Sequence, residues 1–169
     1  KDDTTAHDLT VRDFSSGEGF AGQRGDNSPK RDGDAPITEM DAMKQRLVAE
    51  YYKRAIDGNN SSDYNTAIFA ATEVIRLAPK FSEGHAQRGL AWSRKKQFDK
   101  AIADYAEAIQ LDPTVSEYFS NRASCWAQMG ELQLAIADYD AAIKNDPNDA
   151  DSFRNRGRCQ QRQAKYDLA

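Results

Sequence analysis

The chain has only two histidines and two cysteines in 169 residues. His7, His85, Cys125 and Cys159 are too few and too scattered to supply a tetrahedral metal site. There is no glycine-rich phosphate loop, no nucleophile elbow and no paired-histidine motif. With no reactive constellation, the expectation is a protein that is not an enzyme and needs no cofactor. No apolar run approaches membrane-spanning length, so no membrane span is expected. Neither sign of charge dominates: the formal net charge is -4, with 30% of residues charged. That balance excludes the strong basic field of a nucleic-acid binder and predicts a soluble protein. Proline is scarce too, but its placing is informative. Pro79, Pro113 and Pro147 follow one another at intervals of 34 residues.

Each of these prolines closes the same phrase, an Ala- and Ile-rich stretch ending in Leu-Ala-Pro, Leu-Asp-Pro or Asn-Asp-Pro. A fixed period of this length means stacked supersecondary units. Aligned on the prolines, the chain divides into 48–81, 82–115, 116–149 and a shortened 150–169. Tyr51, His85, Phe119 and Phe153 share one column, and the small residues Ala55, Gly89, Ala123 and Gly157 another. Ala67, Ala101, Ala135 and Ala169 form a third, and Trp92 and Trp126 fall together in the middle units. Within a unit the apolar residues recur at helical spacing, as in Ala101, Tyr105 and Ala108. Turns are expected at Lys96-Gln97 and Gly130-Glu131, giving two antiparallel helices per unit. The proline then ends the second helix, which it cannot continue. Trp92, Trp126, Tyr105, Tyr139, Ala101 and Ala135 are the expected core.

This pattern resembles the tetratricopeptide repeat (TPR) family in length and in motif. Segment 82–115 matches best, through His85, Gly89, Trp92, Phe98, Ala101, Tyr105, Ala108 and Pro113. Segment 48–81 is degenerate, with Gly58 and Ala71 where aromatics are expected. The resemblance implies an all-α solenoid of antiparallel helix pairs, a TPR superhelix, over residues 37–169. It also implies a non-catalytic adaptor that holds a protein or peptide partner in its concave groove. The alternative is a structural subunit of a larger complex, contacting partners through its tail, its convex face and its open C-terminal end.

Carrying the family's groove positions across gives Tyr52, Lys53 and Ile56 from the first unit, and Gln87, Leu90 and Arg94 from the second. The third contributes Asn121, Ser124 and Gln128, the fourth Arg154, Asn155 and Arg158. Asn and Gln can bond a peptide backbone in either polarity. The cationic run Arg154, Arg158 and Arg162 suits an acidic stretch or a C-terminal carboxylate. A chaperone-binding subclass of the family clamps a C-terminal carboxylate with Lys, Asn, Asn, Lys and Arg. Framed from the first unit, Tyr52 and Ile56 replace the first Lys and Asn and Glu117 the second Lys; framed from the second, Ala86 and Leu90 stand where Lys and Asn are needed. That subclass is therefore not expected.

The column Arg54, Arg88, Arg122 and Arg156 stands where the family commonly has leucine. An arginine in a semi-buried column needs an acceptor. Asp104 and Asp138 recur at a matching period, so the two columns are expected to form a structural ladder. Ala70 occupies the aspartate column in the first unit, so Arg54 should lack that partner. His85, Cys125 and Cys159 are read as core fillers. Asn59-Asn60-Ser61-Ser62 carries two overlapping glycosylation patterns, which bear meaning only in a secreted eukaryotic protein.

Residues 1–36 differ in kind. Gly, Asp and Ser dominate, and apolar residues are scattered. A flexible polar tail is expected there, with Asp8–Phe14 as a candidate linear motif. Thr38 and Asp41 resemble a capping box opening a helix whose Met40, Met43, Leu47 and Tyr51 share a face, expected to cap the solenoid. At the other end, Lys165-Tyr166-Asp167-Leu168-Ala169 looks like the start of a second helix in the fourth unit. An uncovered last face around Phe153, Gly157 and Tyr166 predicts either more chain or another molecule over it, including self-association. Cytoplasm is the default location. Because the chain starts at Lys1 and not at Met, a processed terminus in a periplasm or organelle stays open.

Overall fold

The computed structural model describes residues 38–167, with side chains described through residue 165. The tail, its Asp8–Phe14 motif and the side chains of residues 166–169 lie outside the described residues. Seven helices and no strand make up the described part: α1 (Glu39–Asn60), α2 (Tyr64–Leu77), α3 (Ser82–Arg94), α4 (Phe98–Leu111), α5 (Ser116–Met129), α6 (Leu132–Asn145) and α7 (Ala150–Asp167). The period seen in the prolines is thus a period of helix pairs, α1–α2, α3–α4 and α5–α6, with α7 opening a fourth.

Local chemistry sets the ends. The Asp41 N–H donates to Thr38 Oγ1 at 3.1 Å while the Thr38 N–H donates to Asp41 Oδ2 at 3.3 Å. This is the reciprocal capping box read from the sequence. Asp63 caps α2 by accepting from the Thr66 N–H at 3.2 Å. The turns inside the three pairs share one backbone device. Ser62, Lys96 and Gly130 occupy the same column and all take positive φ, at 63°, 59° and 91°. Only Gly130 takes it without a steric penalty.

Small residues set the spacing within a pair. Ala67, Ala101 and Ala135 are fully buried, and Tyr105 and Tyr139 nearly so. A Cβ at Gly89 would meet the Tyr105 ring at 3.2 Å and the Ala101 carbonyl oxygen at 3.3 Å. Gly58 approaches closer still: a Cβ there would lie 2.8 Å from the Ala67 backbone nitrogen. The first pair lacks the expected aromatics because α1 and α2 pack nearly backbone to backbone at this point. Its core is Ala55, Ala70 and Ala71, closed by Tyr51.

Three expectations need correction. Trp92 and Trp126 are half-buried, not core; the Lys100 ammonium stands 4.4 Å from the centre of the Trp92 ring. The Met40, Met43 and Leu47 face of α1 is exposed, since no element of the described chain lies over the first turns. And α7 runs unbroken to Asp167. Ala164 stands in the column of Ser62, Lys96 and Gly130 but stays helical, in a run of good helix formers.

The helical unit bends. Each odd-numbered helix touches the next odd one, α1 with α3, α3 with α5 and α5 with α7, whereas no even-numbered helix touches the next even one. The odd helices therefore lie on the inside of the curve.

Candidate functional site

The inner row of odd helices is tied by side chains that cross from one to the next. Asn59 of α1 donates its amide to the Gln87 carbonyl at 3.0 Å and to Gln87 Oε1 at 2.9 Å. Ser82 of α3 shares a hydrogen bond with the Tyr118 hydroxyl of α5 at 3.2 Å. The Cys125 thiol lies 3.5 Å from Ser93 Oγ, and Arg162 of α7 donates to the Ala127 carbonyl at 3.1 Å. Burial pushes both cysteine thiols up and keeps them protonated. Asn59 is thus engaged by its side-chain nitrogen, the atom a sugar would need.

The twelve proposed groove residues fare unequally. Lys53, Arg94, Asn121, Gln128, Arg154 and Arg158 are exposed. Arg154 is held by Asp151 one turn away, at 2.7 Å. Tyr52, Ile56, Leu90 and Asn155 are half-buried. Two residues differ from the expectation. Gln87 is only 7% exposed, because its carbonyl and side-chain oxygens are taken by Asn59. Ser124 pairs with the Tyr139 hydroxyl of its own helix pair at 2.9 Å. The oxygens of Gln87 and the hydroxyl of Ser124 are thus engaged within the fold.

Sequence reasoning missed a cluster at the first turns of α3 and α5. Ser82 Oγ donates to Glu83 Oε2 at 3.0 Å while bonding Tyr118 on its other side. Tyr52 meets Phe81 edge-on at 5.1 Å. Partial burial raises the Tyr52 pKa, and so do the carboxylates of Glu83 and Glu117; a hydrogen bond with Gln87 opposes them. Tyr118 is pushed up to about 12, mainly by burial, with Glu83 contributing. Glu83, Glu117 and Asp151 lie at the 34-residue period, and that was the available signal.

The Arg–Asp ladder is present in the two middle pairs, Arg88 with Asp104 and Arg122 with Asp138. Arg54 enters no such fork among the described residues: its guanidinium lies 5.9 Å from the Phe69 ring centre, and, after the Thr66 hydrogen bonds, its charge helps lower the Asp63 pKa. Arg156 turns back to Asp140 of α6, sixteen residues before it, where the others reach sixteen residues ahead. His85 is buried in its aromatic column, its Nδ1 3.8 Å from Asp104 Oδ1 and without a hydrogen bond. Among the described residues no group of three or more His, Cys, Asp or Glu is arranged to hold a metal. None of the described helices is long and apolar enough to cross a membrane.

Known proteins share this arrangement. A search of curated proteins finds no match. Among solved structures, the first TPR domain of human RPAP3 superposes with a TM-score of 0.70 at 20% identity, covering 73% of this chain and 97% of that one. The first TPR of Spaghetti (RPAP3) bound to the HSP90 peptide SRMEEVD gives 0.69 at 20% identity, covering 70% and 94%. The TPR2B domain of yeast Sti1 in its pHsp70 complex gives 0.64 at 26% identity, covering 72% and 98%. Three family models, each described as a tetratricopeptide repeat, match residues 82–115, 116–149 and 138–169. Together they cover residues 82–169, more than half of the chain, and the first two fall in the register set by the prolines and the αL turns. The chain belongs to the tetratricopeptide repeat family.

Proposed function

We propose that this protein is a non-catalytic adaptor that holds a segment of another protein against the inner face of α1, α3, α5 and α7. One observation carries the reading. The odd helices are bonded to one another along the inside of the curve, and they also carry a mixed row of exposed and half-buried side chains that take no part in those bonds. That row is Lys53, Ile56, Leu90, Arg94, Asn121, Gln128, Asn155 and Arg158. Apolar residues beside exposed amides and charges suit an extended peptide, which offers both backbone polar groups and side chains. The Spaghetti and Sti1 neighbours are recorded in complexes with chaperone peptides or proteins, which supports an interaction role for this chain too.

The alternative is a structural subunit that contacts partners elsewhere, including through a second copy of itself. Leu134 and Phe153, 47% and 43% exposed near the C-terminal end, favour it. The two readings separate in a quantitative pulldown from native lysate. An Ile56→Arg/Leu90→Arg variant should lose the captured partner, and Ala103→Arg on the outer helix α4 should keep it. The reverse pattern would replace the adaptor reading with the subunit reading.

A further inference from the structure

The inner face is not uniform in charge. On the α1–α3–α5 side it carries Glu83 and Glu117, in the first turns of α3 and α5. Neither carboxylate makes an ion pair among the described residues. Glu83 accepts only from Ser82, and Lys53 and Lys80, the exposed lysines of the adjoining segments, pair with neither. Arg94 lies at the opposite end of α3, about 16 Å away along the helix at 1.5 Å per residue. Helix N-termini favour carboxylates at these places, but their partial charge does not neutralise a full one. The Tyr52 ring and the half-buried Ile56 and Leu90 add apolar surface on the same row.

We propose, resting on the inner-face reading above, that this stretch selects a basic partner segment. A lysine or arginine side chain reaches the carboxylates of Glu83 and Glu117 beside the Tyr52 ring, and apolar residues cover Ile56 and Leu90. Two carboxylates without an ion pair, in the first turns of neighbouring helices that the Ser82–Tyr118 bond ties together, attract a cation by charge. The same carboxylates repel a peptide that ends in acidic residues and a free carboxylate.

The test is fluorescence anisotropy with three labelled peptides of equal length and equal apolar spacing: one rich in lysine and arginine, one rich in glutamate with a free C-terminus, and one uncharged. The basic peptide should bind about tenfold more tightly than the acidic one. That preference should fade as salt is raised, and it should be lost in E83Q/E117Q with an unchanged melting temperature. An acidic peptide bound as tightly as the basic one overturns the proposal. So does a preference that survives in E83Q/E117Q, or no binding of any of the three. Absence of any charge preference in the unaltered protein, while a photoreactive residue placed at Asn121 still crosslinks a partner in native lysate, overturns this inference alone. Crosslinks confined to the even helices overturn the inner-face reading with it.

Discussion

Arg88 and Asp104 meet as a two-point fork, Nε to Oδ2 at 2.9 Å and Nη2 to Oδ1 at 2.7 Å. Arg122 and Asp138 repeat it one period later, both contacts at 2.8 Å. Asp104 is only 5% exposed, so without the arginine its carboxylate would be buried without its fork partner. Removing one partner of a buried pair leaves an uncompensated charge, whereas replacing both with apolar residues is often neutral. Arg88→Met should therefore cost about 3 kcal/mol, and Arg88→Met/Asp104→Leu should recover most of it. Chemical denaturation of the two variants checks this; equal losses in both would mean that the pair itself, not the orphaned carboxylate, carries the stability.

The turn column gives an independent check on backbone strain. Lys96 holds φ at 59° where Gly130 holds 91° in the next repeat. An L residue in this region costs about 1–2 kcal/mol, partly offset because glycine loses more freedom on folding. Lys96→Gly should gain about 0.5 kcal/mol, and Gly130→Ala should lose about 1 kcal/mol. Thermal unfolding of both reads the signs, which must be opposite.

Three glycines in helices should respond differently to alanine. Gly58 faces the Ala67 backbone, Gly89 faces the Tyr105 ring, and no atom of the described residues lies within 4 Å of a Cβ at Gly157. Alanine is favoured over glycine in a helix by about 1 kcal/mol, but overpacking costs about 1–3 kcal/mol. Gly157→Ala should thus stabilise the chain and Gly58→Ala destabilise it, with Gly89→Ala between them. A loss of stability in Gly157→Ala would show that its open face is covered in solution.

The ladder, the helix pairs and the capping box were legible in the sequence because each is a matter of period or of near neighbours. The αL column was not, since Ser62 and Lys96 give no hint of positive φ; only Gly130 does. The withdrawal of Gln87 was hidden too, because it depends on the reach of Asn59 across twenty-eight positions. At the end of the chain, likeness to the Phe98–Ala101 phrase suggested a new helix. Ala164 and its neighbours instead let α7 continue. Of the candidate site, family positions marked the row, but which members remain free was decided by bonds between helices.

Alkaline pH should unfold the protein through its tyrosines. Burial raises the pKa of Tyr52, Tyr105, Tyr118 and Tyr139, with Tyr118 at about 12 against an ordinary value of 10.0. Below pH 10 both folded and unfolded chains hold these phenols neutral, and stability is unaffected. Above it the unfolded chain ionises first, so stability falls until the folded phenols titrate, for Tyr118 near pH 12. Denaturation midpoints across this range should decline, and Tyr118→Phe should flatten the decline. A flat wild-type profile would contradict the burial of these hydroxyls.

The inner-face reading is tested most directly by photocrosslinking in native lysate, with a photoreactive residue placed at Lys53, Asn121 or Arg158 on the odd helices, or at Glu107 or Lys144 on the even ones. The expected result is one partner, crosslinked from the odd-helix positions through a single contiguous segment and absent from the even-helix positions. Crosslinks that arise only from Glu107 and Lys144 would contradict it.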